Sequence, residues 1–181
     1  MAFGWEGEKV RLVPIDRERH LENSLRWIND PEVTRWIGND GHPSTRAAQE
    51  AWFTRHESLE GDIQFAIETL EGQHIGFSGL MEIDDRNGTA VCGTLMGDPR
   101  SWGKGYGTDA ARLRSRFAFE GRGLRQLRSQ VFASNERSLK MLRRVGFEEY
   151  GRLPKAAWLR GKFEDDVLMY LSRERWESLG A

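Results

Sequence analysis

A run of alternating glycines supplies the residues of this 181-residue chain whose types and spacing could do chemistry. The run is Trp102-Gly103-Lys104-Gly105-Tyr106-Gly107-Thr108, and it stands between a predicted strand that ends near Met96 and a predicted helix. Glycine lets the backbone approach a ligand closely, and the first turn of a helix presents unpaired N–H groups at the positive end of its dipole. We therefore predict that this loop binds a pyrophosphate. A plain glycine-rich turn is the structural alternative.

Two familiar phosphate-binding motifs fit the loop poorly. The G-x-x-x-x-G-K-[ST] string of a P-loop is absent from the sequence. The dinucleotide fingerprint G-x-G-x-x-G/A is matched loosely by Gly105, Gly107 and Ala110, but no acidic residue for a ribose follows at the expected distance. A nucleotide-dependent oxidoreductase is therefore the weakest of the functional alternatives.

Length and composition limit the class of protein. We expect one domain spanning residues 1–181, and the formal net charge of -1 indicates no general attraction to nucleic acid or to a membrane. Without a leader or a long apolar run, the chain is expected to be soluble and cytoplasmic. Cys92 is the single cysteine, which excludes an internal disulfide. No metal site is predicted, because the four histidines lie far apart: His20, His42, His56 and His74.

The periodicity of apolar residues predicts the elements that must position the loop. We predict strands at Lys9–Ile15, Ile63–Leu70, His74–Ile83, Thr89–Met96, Leu124–Ala133, Glu148–Arg152, Lys155–Leu159 and Asp166–Leu171. We predict helices after Asp16, at Asp30-Pro31, after Ser44 or Thr45, from the glycine loop to about Gly121 and at Asn135–Val145, with a loop from Gly38 to Pro43 and a left-handed helix stop at Gly146. The predicted fold class is α+β, in which an antiparallel meander leads into a strand–helix–strand unit.

Several motifs, in order along the chain, resemble one known family. They are Val10-Arg11-Leu12-Val13-Pro14, Trp27-x-Asn29-Asp30-Pro31-Glu32-Val33, the glycine loop, Asn135-x-x-Ser138, Gly146-Phe147, Gly161-Lys162-x-x-Asp165 and Trp176. Together they cover nearly the whole chain and resemble the GNAT superfamily of acyl-CoA-dependent N-acyltransferases. The resemblance is to the branch that contains ribosomal-protein-alanine and spermidine N-acetyltransferases.

This resemblance implies a mixed, mostly antiparallel GNAT-like sheet of about seven strands flanked by helices. The sheet would be splayed between its fourth strand, Thr89 to Met96, and its fifth, Leu124 to Ala133, with acetyl-CoA in the gap. By the same resemblance, the cofactor-binding residues are Leu95, Met96 and Gly97 for the pantetheine, Gly103, Lys104, Gly105, Tyr106, Gly107 and Thr108 for the pyrophosphate, Asn135 and Ser138 near the thioester, and Lys140 and Arg143 for an adenosine-side phosphate.

The implied activity is transfer of an acetyl group from acetyl-CoA to a primary amine, by direct attack in a ternary complex and without a metal. The acceptor would be a small-molecule or peptide amine, such as a protein N-terminus, a polyamine, an amino sugar or an aminoglycoside. The protein would be a monomer or homodimer, with no nucleic-acid or membrane partner.

The resemblance also implies catalytic roles, with two departures from the family pattern. Ser138 would serve the leaving thiolate, Asn135 would bond pantetheine or substrate, and a backbone N–H near Met96 or Gly97 would bind the oxyanion. Leu142 stands where many members have a tyrosine, and Cys92 stands where the branch often has a glutamate. Glu82 is then the preferred general base, with Glu68 and Asp165 as weaker alternatives.

Two further alternatives stay open at the level of sequence. The departures at Leu142 and Cys92 are compatible with a GNAT-fold acyl-CoA-binding or regulatory module that has lost catalysis. The aromatic residues Trp36, Trp52 and Phe53 could line a substrate cleft, although helical spacing favours a place in the core.

Overall fold

The computed structural model describes residues 5–38, 42–57 and 61–180. These residues form an eight-stranded sheet and six α-helices. The strands are β1 (Trp5–Glu6), β2 (Val10–Pro14), β3 (Ile63–Thr69), β4 (His74–Asp84), β5 (Thr89–Met96), β6 (Gln126–Phe132), β7 (Glu148–Leu159) and β8 (Lys162–Ser172). The helices are α1 (Arg17–Ile28), α2 (Pro31–Thr34), α3 (Arg46–Glu57), α4 (Tyr106–Arg116), α5 (Glu136–Val145) and α6 (Arg173–Ser178).

The strands are ordered β1-β2-β3-β4-β5-β6-β8-β7, and the neighbours are antiparallel except for β5 and β6, which run parallel. Three residue pairs, from Thr89–Gln126 to Val91–Arg128, join β5 to β6. Beyond Val91 the pairing stops and the sheet opens. This confirms the predicted α+β sheet and its splay. The two strands are fifth and sixth in the chain because the short β1 precedes the predicted first strand.

Local capping residues set the helix ends where the sequence predicts them. The Asp16 carboxylate accepts hydrogen bonds from backbone N–H groups in the first turn of α1, and the Asn135 side chain caps α5. Gly146 ends α5 with a φ of 110°, which confirms the predicted left-handed stop. Such caps depend on residues a few positions apart, which is why the sequence alone reveals them.

The last two strands are longer than predicted. The two extended segments on either side of Pro154 belong to one strand, β7, which bulges near Gly151 and again before Ala157. Its partner β8 begins at Lys162 rather than at Asp166. The bulges accommodate extra residues of β7, so that its pairing with β8 continues beyond Pro154. This depends on the partner strand, and the local residue pattern does not reveal it.

A sixth helix, α6, follows β8, although the sequence analysis predicts none there. Its six residues are too few to be stable as an isolated helix. Trp176 anchors it, because its ring is 5 % exposed and lies 5.3 Å from the ring of Phe119. Tertiary packing therefore decides this element. The predicted loop from Gly38 to Pro43 lies partly outside the described residues.

Both faces of the sheet carry helices. Leu139 and Leu142 of α5 pack with Ala111 of α4 and with Phe119, which lies just beyond that helix, against β6 and β8 on one face. On the other face α1, α2 and α3 enclose a cluster that includes Trp27 and Phe53. Phe53 is fully buried there and Trp52 packs beside it, which supports the core interpretation of these two aromatics, whereas Trp36 is half-buried beneath the guanidinium of Arg35. Within the described ranges, none of the helices has the length and apolarity needed to cross a membrane.

Candidate active site

The opening between β5 and β6 exposes main-chain polar groups of β5. The Gly97 N–H donates a 2.9 Å hydrogen bond to the Ile75 carbonyl on β4, so Gly97 faces β4. Backbone polar groups of successive strand residues point to opposite sides. The main-chain groups of Thr94 and Met96 therefore face the gap, where β6 offers them no paired residue. The Gly97 N–H is already used within the sheet, whereas the Thr94 N–H faces the open side.

The glycine loop connects the end of β5 to α4. Gly103 and Gly105 adopt φ angles of 76° and 88°, a left-handed backbone that glycine adopts without strain. Gly105 is the N-cap of α4, and no side chain caps it. The helix begins at Tyr106, so the last three residues of the predicted loop form its first turn. Their N–H groups have no intrahelical acceptor and suit a phosphate group.

Contacts from distant residues hold this loop in place. The Asp109 carboxylate in the first turn of α4 accepts hydrogen bonds from the N–H groups of Lys9 at 2.8 Å and Val10 at 3.0 Å. The Lys9 ammonium donates to the carbonyl of Lys104 within the loop at 2.9 Å. The sequence analysis did not identify Lys9 or Asp109. An acidic residue in the first turn of a predicted helix could have indicated Asp109. Nothing in the sequence pattern indicated Lys9.

The first turn of α5 follows β6 directly on the other side of the gap. The Asn135 side-chain oxygen accepts a 3.2 Å hydrogen bond from the Ser138 N–H, so the two residues are directly linked. Lys140 pairs with Glu136 at 3.0 Å and Arg143 with Glu149 at 3.4 Å, all with exposed side chains. Such surface pairs are weak, so both cations are available to exchange their partners for a phosphate.

Three carboxylates are candidates for the general base, and they occupy different environments. Glu82 is exposed, has a φ of 49° and directly follows Met81, the partner of Val91 at the end of the β5–β6 ladder. Glu68, on β3, is buried and contacts Arg19 and His20 of α1. Asp165 accepts a hydrogen bond from the Lys155 N–H at 2.9 Å. Of the three, Glu82 lies next to the point where the strands separate.

Cys92 and Arg114 lie together beneath the start of the gap. Burial raises the pKa of the Cys92 thiol, and the neighbouring Arg114 opposes that rise only in part. The thiol is therefore neutral at pH 7 and a poor nucleophile. Arg114 extends from α4 and is 1 % exposed. Its Nη1 donates to the Thr94 hydroxyl at 2.6 Å and to the Gly93 carbonyl at 2.8 Å. The sequence analysis did not identify Arg114 as a site residue.

Two cavities border the carboxyl end of β5, on the side away from β6. The larger, of ≈ 410 Å³, is lined by residues that include Trp27, Asp98 and Arg100. The smaller, of ≈ 190 Å³, reaches Lys104 and Tyr106 of the glycine loop. No residue of β6 or α5 lines either cavity. The strand pairing, rather than cavity volume, therefore locates the gap. In the described part of the chain, no group of three or more His, Cys, Asp or Glu side chains could hold a metal ion.

Comparison with known proteins gives a family match. Residues 9–148 match the acetyltransferase (GNAT) domain family. The spermidine N(1)-acetyltransferase of Escherichia coli K12 is 23% identical over 171 residues, which cover 92% of this chain and 88% of that protein. An uncharacterized N-acetyltransferase, p20, of Bacillus licheniformis is 26% identical over 88% of this chain and 93% of its own length.

Solved structures show the same fold. The spermidine N-acetyltransferase of Vibrio cholerae, in complex with CoA and spermine, superimposes with a TM-score of 0.86 and 18% sequence identity. The alignment covers 93% of this chain and 98% of that one. A GCN5-related N-acetyltransferase from Brucella melitensis has a TM-score of 0.78 and 23% identity, over 99% of this chain and 82% of that one.

Proposed function

The chain belongs to the GNAT acetyltransferase family, and on this premise we propose that it transfers the acetyl group of acetyl-CoA to a primary amine. One observation carries the proposal most directly. The parallel pairing of β5 and β6 ends after three residue pairs, and the unpaired end of β5 leads through the glycine loop to the uncapped N-terminus of α4. A single ligand could place a diphosphate at that helix and an extended chain in that gap. Acetyl-CoA has both parts, a pyrophosphate joined to an extended pantetheine.

The residues that line the gap suit this substrate. The N–H groups from Gly103 to Thr108 would hold the pyrophosphate, because the first turn of α4 has no side-chain cap. The main chain around Leu95, Met96 and Gly97 would pair with the pantetheine amides, with Met96 contributing the groups that face the gap. Lys140 and Arg143 would bind an adenosine-side phosphate.

The reaction forms one bond and breaks another. It also removes protons from the amine and adds one to the leaving thiolate. The amine nitrogen forms a bond to the thioester carbon, and the carbon–sulfur bond then breaks. The protonated amine first loses one proton, for which Glu82 is the proposed acceptor, and its nitrogen releases a second proton to water once the bond to carbon has formed. The leaving thiolate gains one, for which the Ser138 hydroxyl is the proposed donor, resupplied from water. Asn135 would hold the pantetheine or the amine beside Ser138.

A polyamine is one acceptor class that the relatives support. Both the Escherichia coli relative and the Vibrio cholerae neighbour are named as spermidine acetyltransferases. We therefore place polyamines first in an acceptor panel, followed by peptide N-termini, amino sugars and aminoglycosides. A cytoplasmic location and a monomeric or homodimeric state complete the proposal.

A second candidate function, acyl-CoA binding without catalysis, rests on two buried positions. Leu142 is 2 % exposed within the α5 core, at the site where many family members have a tyrosine. Cys92 is a neutral buried thiol where the branch often has a carboxylate. If neither Ser138 nor Glu82 moves a proton, the chain would bind acetyl-CoA and transfer nothing.

Two measurements test the proposal. Thermal unfolding with acetyl-CoA, CoA or NAD should show stabilisation by the first two and none by NAD; stabilisation by NAD alone would reject the enzyme assignment. Release of free thiol from acetyl-CoA should then depend on one member of the amine panel, with the acetylated product identified by mass spectrometry. Binding of acetyl-CoA with no thiol release from any amine would support the binding module instead.

A further inference from the structure

A buried arginine without a carboxylate partner lies under the point where β5 and β6 separate. Arg114 is 1 % exposed, and its Nη1 contacts three oxygen atoms, those of Thr94, Gly93 and Ser78, at 2.6, 2.8 and 3.2 Å. All three acceptors are uncharged. Its Nε is buried and has no hydrogen-bond partner. Across the described ranges, no ion pair neutralises this guanidinium.

Such an arrangement is costly for the fold. A buried charge normally has an opposite charge beside it, because neutral oxygens compensate only part of the lost hydration. Arg114 therefore contributes a local positive potential that the protein itself does not cancel. The potential lies under Cys92, Gly93 and Thr94, the residues with which β5 leaves its partner strand.

The peptide bond between Gly93 and Thr94 links this charge to the gap. Its carbonyl accepts the 2.8 Å hydrogen bond from Arg114. The described backbone contains no cis peptide bond, so the Thr94 N–H points opposite to that carbonyl. The alternation set by Gly97 and Ile75 independently directs the Thr94 N–H toward β6. Thr94 lies three residues beyond the last ladder pair, at Val91, so its N–H enters the gap rather than a ladder bond.

We propose that Arg114 is a positioning residue for acyl transfer, which polarises the Gly93–Thr94 peptide so that the Thr94 N–H binds the thioester oxygen as that oxygen gains negative charge. A cation bonded to a peptide carbonyl withdraws electrons from the peptide and makes its N–H a stronger donor. Fixed donors of this kind are most effective in a site that excludes water. The inference rests on the proposed acetyl-CoA chemistry and adds a residue that acts through the main chain.

The test uses the full chain and three variants, and compares turnover with the state of the bound thioester. Arg114→Gln removes the charge, Arg114→Lys keeps a charge without the guanidinium geometry, and Ser78→Ala removes one neutral acceptor but leaves the Gly93 contact. For each we would measure kcat, the affinity for acetyl-CoA and the thermal midpoint. We would also measure the stretching frequency of the thioester carbonyl, by infrared difference spectroscopy with acetyl-CoA labelled with ¹³C at that carbon.

We expect Arg114→Gln to lower kcat by about 10- to 100-fold while acetyl-CoA affinity changes by less than about threefold, since loss of a whole oxyanion donor costs about 10²- to 10³-fold. The bound carbonyl frequency should be lower in the wild type than in water, and should move back toward the free value in Arg114→Gln. Arg114→Lys should be intermediate, and Ser78→Ala should resemble the wild type.

Unchanged kcat and carbonyl frequency in folded Arg114→Gln would overturn the inference and leave Arg114 a purely structural residue. If Arg114→Gln does not fold, a wild-type frequency equal to that of free acetyl-CoA would overturn it equally. A lowered wild-type frequency that shifts in Arg114→Lys would support it. A wild type that neither binds acetyl-CoA nor releases thiol would instead reject the proposed function itself.

Discussion

The indole Nε1 of Trp102 donates a 2.8 Å hydrogen bond to the carbonyl oxygen of Met96, the residue with which β5 ends. That carbonyl faces the gap, so Trp102 occupies the acceptor that we assign to a pantetheine amide. The Arg137 guanidinium, in the first turn of α5, lies 4.9 Å from the centre of the Trp102 ring. The pair joins the loop after β5 to the start of α5, on the two sides of the gap.

Replacement of Trp102 tests whether the Met96 carbonyl is a cofactor acceptor. Trp102→Phe keeps an aromatic ring for Arg137 but removes the N–H donor, so the free protein should lose about 1 kcal/mol of stability. Because the carbonyl is then available to pantetheine, CoA should raise the thermal midpoint more in the variant than in the wild type. Trp158→Phe, at an exposed site on β7, is the control. A smaller CoA-induced rise in Trp102→Phe would contradict the assignment.

The left-handed glycine at the start of α4 should be needed for both stability and cofactor binding. Gly105 has a φ of 88°, and a methyl group there would lie 3.2 Å from the Lys9 ammonium. We expect Gly105→Ala to cost about 1–2 kcal/mol in the free energy of unfolding and to weaken acetyl-CoA binding at least about tenfold. Calorimetric titration and urea unfolding measure these effects.

The control for that substitution is Gly123→Ala. Gly123 also has a left-handed φ, of 70°, with no atom within 4 Å of an added methyl group. It should show a similar loss of stability from backbone strain, with normal acetyl-CoA affinity. Equal losses of affinity in both variants would mean that general destabilisation, rather than the loop, limits binding.

The Ser138 hydroxyl should contribute to turnover rather than to the fold. The bond between Asn135 and Ser138 uses the Ser138 backbone N–H, so Ser138→Ala leaves the cap of α5 intact. We expect kcat to fall by about tenfold or more, as for loss of a proton donor, with a smaller change in acetyl-CoA affinity. Ser138→Thr should recover part of the rate because it restores a hydroxyl. The opposite pattern, weak binding with normal turnover, would assign Ser138 to cofactor binding.

Glu82 should be most important at pH values where the acceptor amine is protonated. If it is the general base, Glu82→Gln should lower kcat/KM by about 100-fold near pH 7, and the deficit should shrink as rising pH deprotonates the amine in solution. The pH profile of kcat/KM provides the measurement. Asp85→Asn, a nearby exposed carboxylate paired with Arg122, is the control. A deficit that is constant across pH would rule out this role for Glu82.

The buried histidines should make the fold sensitive to acid. Burial, followed by electrostatic interaction with His20, lowers the pKa of His74 to about 3, and burial also lowers the pKa of His20. An unfolded chain binds more protons than the native one below the ordinary histidine pKa of about 6.5. The stability is therefore complete above that pH and falls as the pH drops, by about 1.5 kcal/mol between pH 6.5 and 5 for His74 alone.

Urea unfolding at a series of pH values measures this dependence. His74 accepts a hydrogen bond from Asn23 and donates one to the Gly76 carbonyl, and a glutamine side chain can supply both functions. Unfolding of His74→Gln should therefore take up about one proton fewer than unfolding of the wild type. The free energy of unfolding should vary correspondingly less with pH. A slope identical to that of the wild type would show that His74 does not titrate on unfolding.

Short-range signals were sufficient for much of the fold. The caps at Asp16 and Asn135, the stop at Gly146 and the glycine loop each depend on residues a few positions apart, and each was predicted where it occurs. The family motifs, in order along the chain, then determined the sheet and its splay. The predicted roles of the site residues stay predictions, with Asn135 and Ser138 adjacent and Glu82 beside the end of the ladder.

The tertiary structure decided the relations between distant residues. Asp109 binds the backbone at Lys9, and Arg114 meets Gly93 and Ser78, across separations that no local pattern encodes. From sequence, Arg114 looks like one more basic residue on a solvated helix face. Only the packing of α4 against β4 and β5 buries its charge, because burial is a property of what covers a side chain rather than of its own type.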